Sequence, residues 1–335
     1  MRATLRVVTR SLCAVVAWSC LVPAVLLAAE AGKYVGPTDV VASPDGKSLF
    51  VVAADAGQIL VVDVAGGNVT KTIACPAKPT GLAVAADGAK LYVTCIGAKG
   101  TVCIVDVASG QIAATIPVGH TPCAPVLLPG GKRLFVCNQF NNDVSVIDLE
   151  ANKETARVKA IREPVGSAVT PNGGLVFVTN MLPVDPSDSY NVAAEVTVID
   201  TGSLETSKIR LPNGSSSVRE VCVSPDGAYA FVAHILSRYQ MPTTQLERGW
   251  MNTNAMSVID VAEKKLLNTV LLDDIDLGAA VPWAVAMTAD GKSIIVSHAS
   301  THELSVIDAA GLIAKLKGMP KTIEEAKAAG RYDTQ

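Results

Sequence analysis

Two of the four histidines, His234 and His298, close apolar runs of one pattern, AFVAH and IIVSH. Imidazole suits both copper and haem iron, so two histidines at matched positions form a candidate redox centre. A tight metal site uses three or four ligands, however, and a polar side chain ending such a run can equally tie down the loop beside it. Both readings stay open. The adjacent charges Arg219 and Glu220 open a different run, the one before each turn, whose copies begin PTD, PTG, PCA, PVG, VRE and PWA. They stand where most copies carry small or apolar residues, with Trp283 at the matching place one copy later. Charges in a packed interior are costly without water or a partner, so this pair either forms a salt bridge or meets a ligand. A segment that interrupts the pattern, Ile235 to Ala255, gathers Arg238, Tyr239, Gln245, Arg248, Trp250 and Asn252. Such residues anchor ligands and partner chains.

Other chemistry is excluded by missing motifs. No CxxCH is present, so this chain attaches no haem covalently. GxSxG, the phosphate loop and HExxH are also missing. A net charge of -3 without a basic run argues against nucleic acid as a partner. Of eight cysteines, Cys13 and Cys20 lie in an N-terminal leader. Cys75, Cys95, Cys103, Cys123, Cys137 and Cys222 remain, with no CxxC spacing, and buried free thiols are the common outcome within strands. Cys95 and Cys137 are offset by one position, which turns them to opposite faces of neighbouring sheets.

The elements that must position these residues are repeats. Turns at Asp45-Gly46, Asp87-Gly88, Gly130-Gly131, Asn172-Gly173, Asp226-Gly227 and Asp290-Gly291 are each followed by an apolar run: LFVVA, LYVTC, LFVCN, VFVTN, AFVAH and IIVSH. A third run then follows: LVVDV, CIVDV, SVIDL, TVIDT, SVIDV and SVIDA. Four short strands, a to d, in a period of 42 or 43 residues over the first three intervals predict an all-β fold, a β-propeller with antiparallel four-stranded blades starting near 37, 79, 122, 164, 218 and 282. A composition of 49% hydrophobic and 18% charged residues fits sheets packed on sheets. With VFVTN at 176 to 180 as its closest copy, the chain resembles the YVTN-type β-propeller repeat family over about residues 33 to 308. That resemblance implies seven blades in a complete ring. Lys33 to Gly36 reads as the end of a fourth strand that either closes a six-bladed ring or belongs to a chain with a further blade.

In an up-and-down meander the d-to-a and b-to-c connections share one face of the disc. Every long insertion falls there: Met181 to Glu195, Ile235 to Ala255 and the acidic connection Leu272 to Val281. The last residue of strand b, at Ala53, Cys95, Asn138, Asn180, His234 and His298, lies just beneath that loop face. Residues 1 to 31 read as a signal peptide: Arg2, Arg6 and Arg10, then an apolar stretch, then Ala29-Glu30-Ala31. The expected location is the periplasm or cell surface, without stable membrane insertion after cleavage. The propeller spans 33 to 309, and 310 to 335 reads as a helical tail with Thr322 and Glu325 as a capping box.

Two functions follow as expectations. One is a non-catalytic exported scaffold that engages a protein or small ligand through its loop face at Arg219, Glu220, Arg238, Tyr239, Gln245, Arg248, Trp250, Asn252 and Trp283. The blade 5 insertion resembles that of exported bacterial propellers that precede a c-type cytochrome or a di-haem peroxidase-like module, which implies a cytochrome or peroxidase partner. The other is a redox subunit holding copper or non-covalent haem at His234 and His298.

Overall fold

In the computed structural model, residues 34–238, 251–273 and 280–320 are described. Pro37–Gln335 forms one compact unit, apart from Met1–Gly36. The repeat is realised as six antiparallel blades. Blade 1 holds β1 (Pro37–Ala42), β2 (Ser48–Ala53), β3 (Gln58–Asp63) and β4 (Val69–Ala74); blade 2 holds β5 (Pro79–Val84), β6 (Lys90–Cys95), β7 (Thr101–Asp106) and β8 (Ile112–Pro117). Blade 3 is built from β9 (Pro122–Leu127), β10 (Arg133–Asn138), β11 (Asp143–Asp148) and β12 (Lys153–Lys159), and blade 4 from β13 (Pro164–Val169), β14 (Leu175–Asn180), β15 (Glu195–Asp200) and β16 (Thr206–Arg210). Blade 5 comprises β17 (Ser215–Ser216), β18 (Val221–Val223), β19 (Tyr229–Ser237), β20 (Asn252–Asp260) and β21 (Lys265–Leu271). Blade 6 comprises β22 (Pro282–Met287), β23 (Ser293–His298) and β24 (Glu303–Asp308), after which α1 (Ala309–Lys317) follows.

Alternation along each second strand builds the core, because successive side chains point to opposite sheet faces. Leu134 and Val136 of β10 pack toward blade 2 with Val102 and Ile104, whereas Phe135 and Cys137 pack toward blade 4 with Val176 and Val178. The same arrangement joins blade 1 to 2, blade 4 to 5 and blade 5 to 6. Among the described residues no such cluster joins blade 6 to blade 1. Leu304 and Val306 of β24 are 66% and 69% exposed, where the matching Val102 and Ile104 are 0% and 4%. The sixth sheet shows three strands, and Tyr34–Gly36 is not a strand. Gly36, at φ +56, turns the chain just before Pro37 and breaks the extension expected of Lys33 to Gly36.

One aspartate explains why α1 starts where a turn to a fourth strand stands elsewhere. The residue ending the third strand accepts a backbone N–H three positions on, as Asp106 does from Ser109 and Asp200 from Ser203. Asp308 accepts from Gly311 N in the same way at 2.8 Å. Here, however, the chain continues as Leu-Ile-Ala-Lys-Leu-Lys, good helix formers, and the same contact becomes an N-cap. Leu316 of α1 closes over the core shared by blades 5 and 6. The expected capping box at Thr322 and Glu325 lies outside the described residues.

Candidate functional site

The first strands of the blades line the axis. Five begin with proline, which gives no N–H to a ladder and so suits a strand's first residue. The register slips within the first strand of each of these five blades, for example between Pro37 and Asp39 and between Pro79 and Gly81. In blade 5 the slip is larger. Arg219 and Glu220 fall outside the regular strand β18, although they still exchange backbone bonds with Ala233 at 3.2 Å.

These irregular starts surround a cavity of about 860 Å³ lined from all six blades, with Asp39, Thr80, Cys123, Arg219, Glu220 and Trp283 on its wall. Hydrogen bonds between neighbouring first strands hold the wall together. Asp39 Oδ2 accepts from Leu82 N at 2.9 Å, and Ser167 Oγ donates to Ala124 O at 2.8 Å. Thr179 Oγ1 donates to Arg219 O at 2.9 Å. Glycine is required where these strands approach most closely: a Cβ on Gly166 would collide with Arg219 O and Thr179 Oγ1.

Arg219 and Glu220 do not pair with each other, which corrects the salt-bridge reading. The Arg219 guanidinium lies 4.2 Å from the centroid of the Trp283 ring, and its Nε is buried without a hydrogen-bond partner. Burial lowers its pKa. Trp283 is 44% exposed and stays open to a ligand. Burial, reinforced by the negative charge of Asp39, pushes the Glu220 carboxyl up to about 8, against a weak hydrogen bond from Val221 N. Burial also raises Asp39, opposed by N–H donors from Leu82 and Val40. The channel thus offers a cation on an aromatic face beside a carboxyl that carries a proton near neutrality. Sequence reasoning passed over Asp39, although the D of its PTD departs from the PTG, PCA and PVG of the next three copies.

The strand-end residues form a separate and regular set. Asn180 Oδ1 accepts from Ile161 N and Arg162 N, while its Nδ2 donates to Glu195 O and Thr197 Oγ1. Asn138 likewise binds Gly119 N, Asp143 and Ser145. His234 takes the same place, with Nε2 2.8 Å from Ser257 Oγ and Nδ1 3.1 Å from Ile235 O. Burial lowers its pKa to about 4, despite the backbone bond. His298 Nε2 meets Ser305 Oγ at 2.8 Å, and its Nδ1 has no partner. Thus Ser145, Thr197, Ser257 and Ser305, each three residues before the aspartate that ends its strand, receive the strand-end side chain. This hydroxyl ladder could have been read from SVIDL, TVIDT, SVIDV and SVIDA. Among the described residues no three His, Cys, Asp or Glu side chains assemble as a metal site.

The blade 5 insertion begins as strand. β19 and β20 run three residues past His234 and Ala255, pairing Ile235 with Asn254, Leu236 with Thr253 and Ser237 with Asn252. β17 adds on the other side of this projection. Gly214, at φ +91, permits that approach, since a Cβ there would strike Ser237 O. Arg238 is exposed at the end of the described hairpin, where its N–H donates to Met251 O at 2.7 Å. Asn252 Oδ1 accepts from Ser237 Oγ at 2.8 Å. Tyr239, Gln245, Arg248 and Trp250 lie outside the described residues. Asn254, which sequence reasoning also missed, binds Asp273 through Nδ2 and Val281 N through Oδ1, tying the projection to the entry into blade 6.

Fold and channel define a six-bladed β-propeller with its irregular, polar connections on one face. No family model matches the chain, so the YVTN-type resemblance rests on the strand motif. In sequence the chain is similar to hydrazine synthase subunit beta of Kuenenia stuttgartiensis, 28% identical over 281 residues that cover 82% of this chain and 70% of that protein. In structure it is similar to a chain of Kuenenia stuttgartiensis hydrazine synthase, with a TM-score of 0.78 and 26% identity, covering 90% of this chain and 84% of the other.

Proposed function

We propose that this protein is an exported, non-catalytic propeller subunit that docks a protein partner through its loop face, within an assembly related to hydrazine synthase. The relative's name makes it one subunit of a synthase, and the similarity runs through most of both chains. The observation that carries the proposal is the concentration of polar departures and of insertions on one face, the opposite face departing from the repeat at α1. The unpaired Arg219 on the half-exposed Trp283, the desolvated Glu220 and the projecting β19–β20 hairpin all belong to the ends of strands that open there. A partially desolvated arginine on an open aromatic ring suits the hot-spot chemistry of interfaces. A redox protein of the periplasm, such as a c-type cytochrome, is the partner class that the resemblance favours.

The test is affinity purification of the tagged full-length protein from its native cells. A loop-face variant, Arg219→Ala with Trp283→Ala, is compared with an opposite-face variant, Lys47→Ala with Lys132→Ala. Partner polypeptides should co-purify with wild type and the opposite-face variant and be lost from the loop-face variant. Equal recovery with both variants would reject the loop face as the docking surface.

A further inference from the structure

Arg219 lines the axial cavity with its charge left unpaired by the protein. Its Nε is buried without a partner, and its two terminal nitrogens, which are not buried, bond to no protein atom among the described residues. Stacking 4.2 Å from the Trp283 ring centroid holds the group in place without using any of its N–H donors. Trp283 lines both this cavity of about 860 Å³ and a recess of about 470 Å³ that it shares with Pro37, Thr38, His298 and Leu304, so the two spaces adjoin at the indole. We infer that they bind a small organic acid with one carboxylate, held by the Arg219 guanidinium, and a flat apolar body laid along Trp283 toward the recess.

The charge pattern selects a single carboxylate. Among the described residues Arg219 is the one cation on the axial wall. Its planar fork of N–H donors matches the two oxygens of a carboxylate, which the point charge of a lysine does not. A second negative charge on the ligand would be opposed by Asp39, whose oxygens already accept from Val40 N at 2.8 Å and Leu82 N at 2.9 Å. Glu220 adds no such repulsion near neutrality, because burial and Asp39 hold its carboxyl at a pKa of about 8, and a protonated carboxyl donates to an oxyanion.

The apolar body follows from the rest of the wall. Val41, Leu82 and Val285 line the axial cavity, and Pro37 and Leu304 line the recess. Trp283 is 44% exposed with the guanidinium at its ring, so a flat body gains indole contact while its carboxylate stays within reach of Arg219. This site goes beyond the docking surface, since it needs no partner chain.

The test titrates benzoate into the purified full-length protein by calorimetry, with benzamide, an uncharged isostere, and inorganic phosphate as comparison probes. Benzoate should bind saturably at one site per chain. Benzamide and phosphate should each bind at least about tenfold more weakly, the ratio that a hydrogen bond to a charged group supplies. Arg219→Met keeps an apolar stem beside Trp283 but loses the fork, and should erase the preference for benzoate over benzamide; Lys132→Ala, on the opposite face, should keep it. Benzamide matching benzoate on the wild-type protein, phosphate binding as tightly as benzoate, or no saturable benzoate binding would each overturn the proposal, and none of these readings requires a variant to fold. With no partner in the titration, they are separate from the co-purification that tests docking.

Discussion

Glu220 and His234 titrate in opposite senses, and the signs can be worked out residue by residue. Glu220 is raised from 4.5 to about 8, so between those values the folded protein holds a proton that the unfolded chain has released. Stability therefore falls as pH rises through that window, by at most about 1.4 kcal/mol per pH unit and by less for a group lining a wet cavity. Glu220→Gln is expected to flatten the denaturant midpoint between pH 5 and 8. His234 is lowered from 6.5 to about 4, so over that range the unfolded chain binds the extra proton. Its contribution is present above pH 6.5 and lost as pH falls toward 4. Urea titrations across pH separate the two, because Glu220→Gln leaves the acid limb in place. Asn180 is fully buried and hydrogen-bonded through both atoms of its amide, and Asn180→Ala orphans their partners at a cost of roughly 1–3 kcal/mol in chemical unfolding. The position of this residue type was legible from aligned strand ends. Its hydroxyl partner lies on the next strand, at the first residue of SVIDL, TVIDT, SVIDV and SVIDA, so the strand-end histidines by themselves read equally as ligands or as loop ties.

At the scale of strands, turn dipeptides and alternating apolar runs were enough to place almost every element, because register with one buried face leaves little freedom. Blade 5 departs for a local reason. Its insertion begins as hairpin, with β17 bound to its side, because Ile235 and Leu236 carry the apolar run past His234 and keep the strand pairing going opposite Asn254 and Thr253. The salt bridge read between Arg219 and Glu220 failed because Trp283, a copy away in sequence, sits close enough to take the guanidinium. Strand β24 ends the described sheets with Leu304 and Val306 exposed, a row of the kind that invites edge-to-edge pairing. Leu304→Lys with Val306→Lys should change stability by no more than about 0.5 kcal/mol, as surface substitutions do, while lowering self-association in light scattering. A large loss of stability instead would show that these side chains are covered in solution.

For the whole molecule, a repeat that holds one face plain apart from α1 after blade 6, and loads the other with polar departures and insertions, has divided its labour. The plain face carries tight turns such as Asp45-Gly46, with Gly46 at φ +69. The loaded face carries the stacked arginine, the raised carboxyl and the projecting hairpin. Function was less legible than fold because it depends on what the connections bring together across blades, which no single copy of the repeat displays. The most direct measurement is co-purification of native partners with the full-length protein, comparing Arg219→Ala plus Trp283→Ala against Lys47→Ala plus Lys132→Ala. The account predicts that the first pair empties the complex and the second leaves it intact; identical partner recovery from both would contradict it.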